Sequence, residues 1–304
     1  MNTVGQKISA VKKDTYKPLL DNIMHDPVDF FVFLLFVPWL NIVIYLLLQS
    51  DPSLATYFVL DSNDPSKLPM FLSNYSHVDL SHLLSNMRSY LLVTPLIIAL
   101  NFERIKFRIH MLFFFLFLPV LFSILTLKGV PSAGTVNGIS GIVAVMFGYL
   151  LYSTFAYMAR KWGTGNPIHL LFAVLCTNLV VISLTYGHLW LVVLCSLIVF
   201  ANIIRGQEVL HQIVSRAELI LRRWNQENLD LIHRPWGRKK QERIIEIATA
   251  VSIIIFLPAT SAFLFPDNII SPDGVRTNVL VHYVGYVSGS LLPFITGLLE
   301  GDFN

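Results

Sequence analysis

The chain carries little charge. Of its 304 residues only 13% are Asp, Glu, Lys or Arg, 54% are hydrophobic, and the mean hydropathy is +0.62. A soluble domain carries about 25% charged residues, so a single soluble core with this balance would have no surface to offer water. Cysteine is scarce too. Cys176 and Cys195 both lie in apolar runs, which excludes a disulfide framework and makes them small buried hydrophobes rather than metal ligands. CxxC, HExxH and P-loop patterns are absent, and no metal or organic cofactor is implied. There is no internal repeat and no low-complexity tract. The N-terminus is polar through Asp26 and lacks an early apolar core with a cleavage site, so no signal peptide is expected. The pI of 8.8 raises nucleic acid as a partner. The positive charge falls in loops between apolar spans, however, which points to membrane orientation and excludes nucleic acid.

What the chain does have is apolar runs of the length that crosses roughly 30 Å of hydrocarbon. Eight spans are expected, at about 28–48, 80–101, 108–127, 138–158, 168–186, 188–204, 245–265 and 278–299. Breakers fit between them, among them Asp51-Pro52, Gly163-Thr164-Gly165-Asn166-Pro167 and Pro266-Asp267. Only Gly187 and His188 separate 168–186 from 188–204, so that turn must be tight. With the N-terminus in the cytoplasm, the inner side receives Lys7, Lys12, Lys13, Lys17, Arg104, Lys106, Arg108, Arg160 and Lys161. It also receives nine Lys/Arg between Arg205 and Arg243. The outer side receives only Lys67, Lys128 and Arg276, and Arg88 lies within a span. Cytoplasmic loops favour Lys and Arg, so this asymmetry supports eight spans with both termini inside. Residues 205–243 form the one sizeable soluble piece. Val209, Ile213, Ala217, Ile220, Leu221 and Trp224 recur there near helical spacing, flanked by Arg216, Arg222 and Arg223. The plain reading is an amphipathic helix on anionic lipid.

Polar residues inside spans are costly and usually functional. Three groups stand out. Asn137-Gly138-Ile139-Ser140-Gly141 opens the fourth span, and Gly138, Gly141, Ala144 and Gly148 put small residues on roughly one side of it. His282 near the start of the last span is followed by Gly285 and Gly289 on its own face. His77-x4-His82-x3-Asn86 opens the second span, and His82 and Asn86, at i and i+4, share a face. Each motif alone has a plainer reading, as a packing seam, an interfacial histidine or interhelical polar glue. Three spans separate the Ser140 helix from the His282 helix. Both therefore run from outside to inside, and all three groups sit near the outer face.

Together, in this order, these residues resemble the rhomboid family of intramembrane serine proteases. The resemblance covers about 70–158 and the last span. It implies an all-α polytopic fold with a rhomboid-like six-helix core plus about two extra transmembrane helices. It also implies a Ser–His dyad without a carboxylate, with Ser140 as nucleophile and His282 as general base. His82 and Asn86 would stabilise the oxyanion, with the Ser140 backbone N–H. His77, Gly138, Gly141, Gly285 and Gly289 would support them. The implied partners are transmembrane protein substrates that unwind near the outer face, and the lipid bilayer. Ser81, Ser85, Asn86, Thr135 and Asn137 would keep a wet cavity open there, and Tyr283 and Tyr286 either line the approach or pack.

The chain departs from the family's pattern where extra spans and the basic loop fall between serine and histidine. The fifth core span is then 168–186 or 245–265. The outer loop 49–68 lacks the Trp-Arg pair many relatives carry. The expected organisation is 1–27 cytoplasmic, 28–204 transmembrane helices 1–6, 205–244 a basic insertion, and 245–304 the last two transmembrane helices, in the cell membrane. A non-catalytic rhomboid-like protein that binds transmembrane helices is one alternative. A transporter or channel is another, which would call for midplane charges and repeated halves.

Overall fold

The computed structural model describes residues 27–63, 65–101, 103–129, 135–233, 238–254, 264 and 278–300. The expected N-terminal segment, the 245–265 span beyond Ile254 apart from Leu264, and the last four residues lie outside them. Helix α1, Pro27–Ser50, passes through a π turn at Phe31–Phe36 just ahead of Pro38, whose ring nitrogen cannot donate back one turn. A short strand, β1 (Leu60–Asp61), and helix α2 (Lys67–Leu72) follow. Helix α3, Leu80–Leu100, starts on Asp79, whose carboxylate accepts the His82 N–H at 2.7 Å.

The expected span at 108–127 is one membrane-length unit, Arg104–Lys128, interrupted at Phe117 into α4 (Arg104–Leu116) and α5 (Leu118–Gly129). Pro119 explains the break. It has no N–H for the Phe115 carbonyl, and the Tyr75 hydroxyl donates to that carbonyl instead. Burial pushes the Tyr75 hydroxyl well above its ordinary value, which keeps it a donor. Strand β2 (Thr135–Val136) pairs antiparallel with β1, Leu60 opposite Val136 and Asp61 opposite Thr135.

Helix α6, Ser140–Tyr157, continues through a π turn to Trp162 and stops at Gly163, whose φ of 66° takes the left-handed region. It is the central helix: 89% of its apolar window is buried against protein, against 28–50% for the other five spans. Helices α7 (Ile168–Thr185) and α8 (Leu189–Arg205) form a hairpin across the expected tight turn. Gly187 has φ 74°, its N–H donates to Leu184 and the His188 N–H to Ser183, the paired bonds that cap a helix with glycine. Cys195 is buried, Cys176 half-buried, and both are free thiols.

Helix α9, Gln207–His233, turns away from α8 by 71°. The stripe expected to face lipid turns inward instead. Ile213 and Ile220 are buried, Val209 packs at Gly165, and the Gln212 carboxamide accepts the Gly165 N–H. The bend explains this, because it lays α9 under the 163–167 turn. Leu221 and Trp224 lie outside the described side chains. Helix α10 is Arg238–Ile254 and α11 is Val279–Leu299.

The molecule is thus an all-α polytopic membrane protein. Six helices are long and apolar enough to span, and α8 with the first part of α9 makes a seventh if that bent pair is one span. The expected span at 245–265 lies largely outside the described residues, which hold it only as far as Ile254 and at Leu264. Among the described residues it is α10 that packs against both α3 and α6.

Candidate functional site

The site forms where α6 and α11 start. Among the described helices this pair makes the most intimate contact, and glycine makes it possible. A Cβ at Gly148 would lie 2.0 Å from the Tyr286 carbonyl oxygen, and one at Gly289 would lie 2.1 Å from that of Val145. A Cβ at Gly285 would lie 2.7 Å from the Gly141 oxygen, and one at Gly141 would lie 2.9 Å from Val281. At Gly148 and Gly289, where main chain stands in the way, nothing larger than hydrogen fits. The matches also fix direction. Gly141 meets Val281 and Gly285, whereas Gly148 meets Tyr286 and Ser290. Both sequences advance the same way, so the helices are parallel. Ser140, beside Gly141, and His282, beside Val281, therefore share one end of the bundle, whatever the span count.

Ser140 is the first residue of α6 and is half-buried. Gly138 just ahead of it has φ 120°, where an L side chain is strained. It is not on the glycine seam, contrary to the expected small-residue face, because it precedes the helix. A Cβ there would strike the His82 ring at 2.7 Å and approach His77 Nε2 at 3.6 Å. Gly138 is what lets the Ser140 loop lie on the two histidines.

The turn at Ser73–Ser76 holds this loop down. The Ser73 carbonyl accepts the Gly138 N–H at 2.8 Å. Asn74 donates to the Pro119 carbonyl at 3.0 Å and to the Ser123 hydroxyl at 3.1 Å. Ser76 donates to the Phe58 carbonyl. Beyond the turn, His77 is fully buried and packs edge-on to His82 with ring centroids 5.1 Å apart. The Asn86 amide donates to His77 Nε2 at 3.0 Å, so Nδ1 carries the His77 proton, and it has no partner among the described residues. Burial, then the charge of His82, push His77 down to about 3, against the opposing pull of Asp79. It is therefore neutral at pH 7. Asp79 is held low by the Ser81 hydroxyl first and then by the His82 N–H. His82 and Asn86 do share a face, and Asn86 keeps one N–H beyond the one His77 accepts.

His282 is buried, and its Nδ1 lies 2.7 Å from the Leu264 carbonyl oxygen. A carbonyl only accepts, so Nδ1 carries the proton and Nε2 is the basic nitrogen. His82 and His282 lie within electrostatic range of one another. Asn278 anchors the start of α11, accepting the Val281 N–H at 3.1 Å and donating to Thr126 on α5 at 2.8 Å. Among the described residues Ser140 Oγ and His282 Nε2 make no hydrogen bond, to each other or elsewhere. Their helices are in contact while the two side chains stay unbonded, as is common before a substrate is present.

Sequence reasoning found Ser140, His282, His82, Asn86 and His77, which the fold gathers at one end. It missed Asp79 and Asn278, although each stands at an N-cap before an apolar helix, and it missed Ser73 and Leu264, which act through main-chain carbonyls that no side chain announces. Of the expected wet-cavity residues, Ser81 and Ser85 are exposed on the outward face of α3, Asn137 is half-buried, and the Thr135 side chain lies outside the described ones. Tyr286 is fully buried between helices, and the Tyr283 hydroxyl donates to the Leu175 carbonyl at 3.4 Å, so both tyrosines pack. Arg88 is exposed on the same outward face, with no acidic partner among the described residues. Searches of family models, curated proteins and solved structures return no match to the chain, so the site is read from its own residues and geometry.

Proposed function

We propose that the chain is a rhomboid-type intramembrane serine endopeptidase that cleaves transmembrane segments near the outer face. The observation that carries this reading is the glycine seam. It brings the first turns of two parallel membrane helices together, one bearing a serine and the other a histidine whose basic nitrogen is Nε2. In this mechanism His282 Nε2 takes the Ser140 proton as Oγ attacks the scissile carbonyl, and returns it to the leaving amine as the C–N bond breaks. Water then hydrolyses the acyl-serine with His282 acting again as base. His82, the remaining Asn86 N–H and the Ser140 backbone N–H stabilise the oxyanion, each such donor contributing ~10²–10³ in rate. The substrate is a membrane-protein helix that unwinds locally, because cleavage requires an extended backbone and hydrocarbon resists one.

The orientation that serves this role puts both termini in the cytoplasm and the site toward the outside of the cell membrane. The exposed side of α9, with Arg216, faces anionic lipid of the inner leaflet. The test is cleavage of a labelled single-span substrate in liposomes by the native chain, Ser140→Ala and His282→Ala. Cleavage by the native chain alone, with both variants folded, supports the proposal. Equal cleavage by all three assigns the activity elsewhere. Co-purification of uncut substrate with all three favours a helix-binding protein.

A further inference from the structure

A dyad needs something to hold its imidazole. In serine hydrolases a carboxylate does so, fixing the tautomer and steadying the imidazolium that forms. No carboxylate approaches His282 among the described residues. What meets Nδ1 is the main-chain carbonyl of Leu264, at 2.7 Å, in a place where both residues are buried. We propose that the Leu264 carbonyl is the third, positioning member of this site. It selects the His282 tautomer protonated at Nδ1 and steadies the imidazolium.

Three observations converge. The contact is short and both partners are withdrawn from water, so no solvent competes for Nδ1. The helix backbone that carries the ring is held independently, because Val281 and Gly285, flanking His282 on α11, are pressed against α6. With the backbone so held, one further bond on the ring selects its orientation. Leu264 is nearly fully buried and packs in the main core, so its carbonyl is anchored rather than merely nearby. In the reaction the proton leaves Ser140 Oγ for Nε2 while Nδ1 keeps its own, and the Leu264 oxygen accepts a hydrogen bond throughout and never a proton. When the ring becomes cationic that bond becomes charge-assisted and shortens. A neutral carbonyl does this less strongly than a carboxylate, but it adds no buried charge to the bundle.

The catalytic consequence rests on the peptidase reading; the tautomer does not, and the test separates them. The full chain, ¹⁵N-labelled at histidine, is placed in bicelles at neutral pH, and His282 is assigned by difference from His282→Ala. The spectrum is read in the native chain and in Ser140→Ala. The expected result in both is a protonated Nδ1 and a pyridine-like Nε2. A protonated Nε2 overturns the proposal. Two altered chains then read the catalytic effect with the liposome substrate. Nδ1-methylhistidine at position 282 keeps the base and removes the donor, and kcat is expected to fall ~10²–10⁴-fold while KM holds. An ester in place of the Leu264–Phe265 amide weakens the Leu264 acceptor and also removes the Phe265 N–H, and kcat is expected to fall about three- to tenfold. Unchanged kcat in both overturns the positioning role. The expected tautomer in a native chain that cuts nothing leaves the carbonyl contact standing and defeats the peptidase reading instead.

Discussion

The two ends of the α6–α11 pair are built on different principles. At the Ser140–His282 end contact is made by glycine and few polar bonds cross between the helices. At the other end polar groups crowd together. Tyr149 on α6 accepts from Asn101 at 2.8 Å and lies 3.3 Å from His110 Nδ1, while His110 Nε2 lies 3.1 Å from the Thr296 hydroxyl of α11. Lys106 bridges Glu103 and Glu300, Arg160 pairs with Glu103, and Asp29 binds Arg104 and Arg108. The contrast teaches a division of labour. The polar end fixes the helices against one another through many redundant partners. At the glycine end the buried histidines each make one side-chain hydrogen bond, His77 with Asn86 and His282 with the Leu264 carbonyl, and on the proposed reading that leaves His282 Nε2 free for chemistry.

The sharpest way to break this contrast is at the chemistry. Ser140→Ala and His282→Ala should each lower cleavage ~10⁴-fold or more. Ser140→Ala should leave the thermal unfolding midpoint of the purified protein nearly unchanged, whereas His282→Ala should lower it modestly, because it leaves the buried Leu264 carbonyl unpaired. Next comes the seam. Gly289→Val places carbon where the Val145 carbonyl stands, 2.1 Å away. It should destabilise the fold by about 3 kcal/mol or more and abolish cleavage, read by unfolding in mixed micelles. Substitution of the proposed oxyanion donors should be milder, and Asn86→Ala should in addition destabilise the fold by about 1–3 kcal/mol, because it leaves buried His77 Nε2 without its donor. Asn86→Ala and His82→Ala should each lower kcat by ~10²–10³ with KM nearly unchanged.

His77 adds a pH signature. Its folded value is pushed to about 3 from an ordinary 6.5, so between those values the unfolded chain binds a proton the folded chain does not. Stability is then full above about pH 6.5 and declines as pH falls toward 3. His77→Gln should flatten that acid limb in a melting series, and an unchanged limb would count against a buried neutral ring. The smallest effect is expected at the polar end. Glu300→Gln removes one half-exposed ion pair, should cost under about 1 kcal/mol, and should leave cleavage unchanged.

Much of this was legible in the sequence because hydrocarbon makes polar and small residues conspicuous. Ser140, His282, His82 and Asn86 stood out against apolar runs, and the spacing Gly285-x3-Gly289 marked the face that packs. Other features were not legible, for physical reasons. The break at Phe117 depends on Tyr75, forty residues away, supplying the donor that Pro119 lacks. The stripe Val209–Ile213–Ile220 has the same pattern whether it meets lipid or protein, and only the 71° bend after α8 decides. Among the described residues α10 packs on both α3 and α6, and that is a matter of tertiary contact rather than of apolarity, which 168–186 shares. The Leu264 carbonyl has no sequence signal, since every residue carries one.

The central claim is that Ser140 is a nucleophile activated by His282. It is tested most directly by a fluorophosphonate probe applied to the full chain in bicelles, with the adduct mapped by mass spectrometry. The account predicts one adduct, on Ser140, absent from His282→Ala. No adduct, an adduct on another serine, or equal labelling in His282→Ala would contradict it.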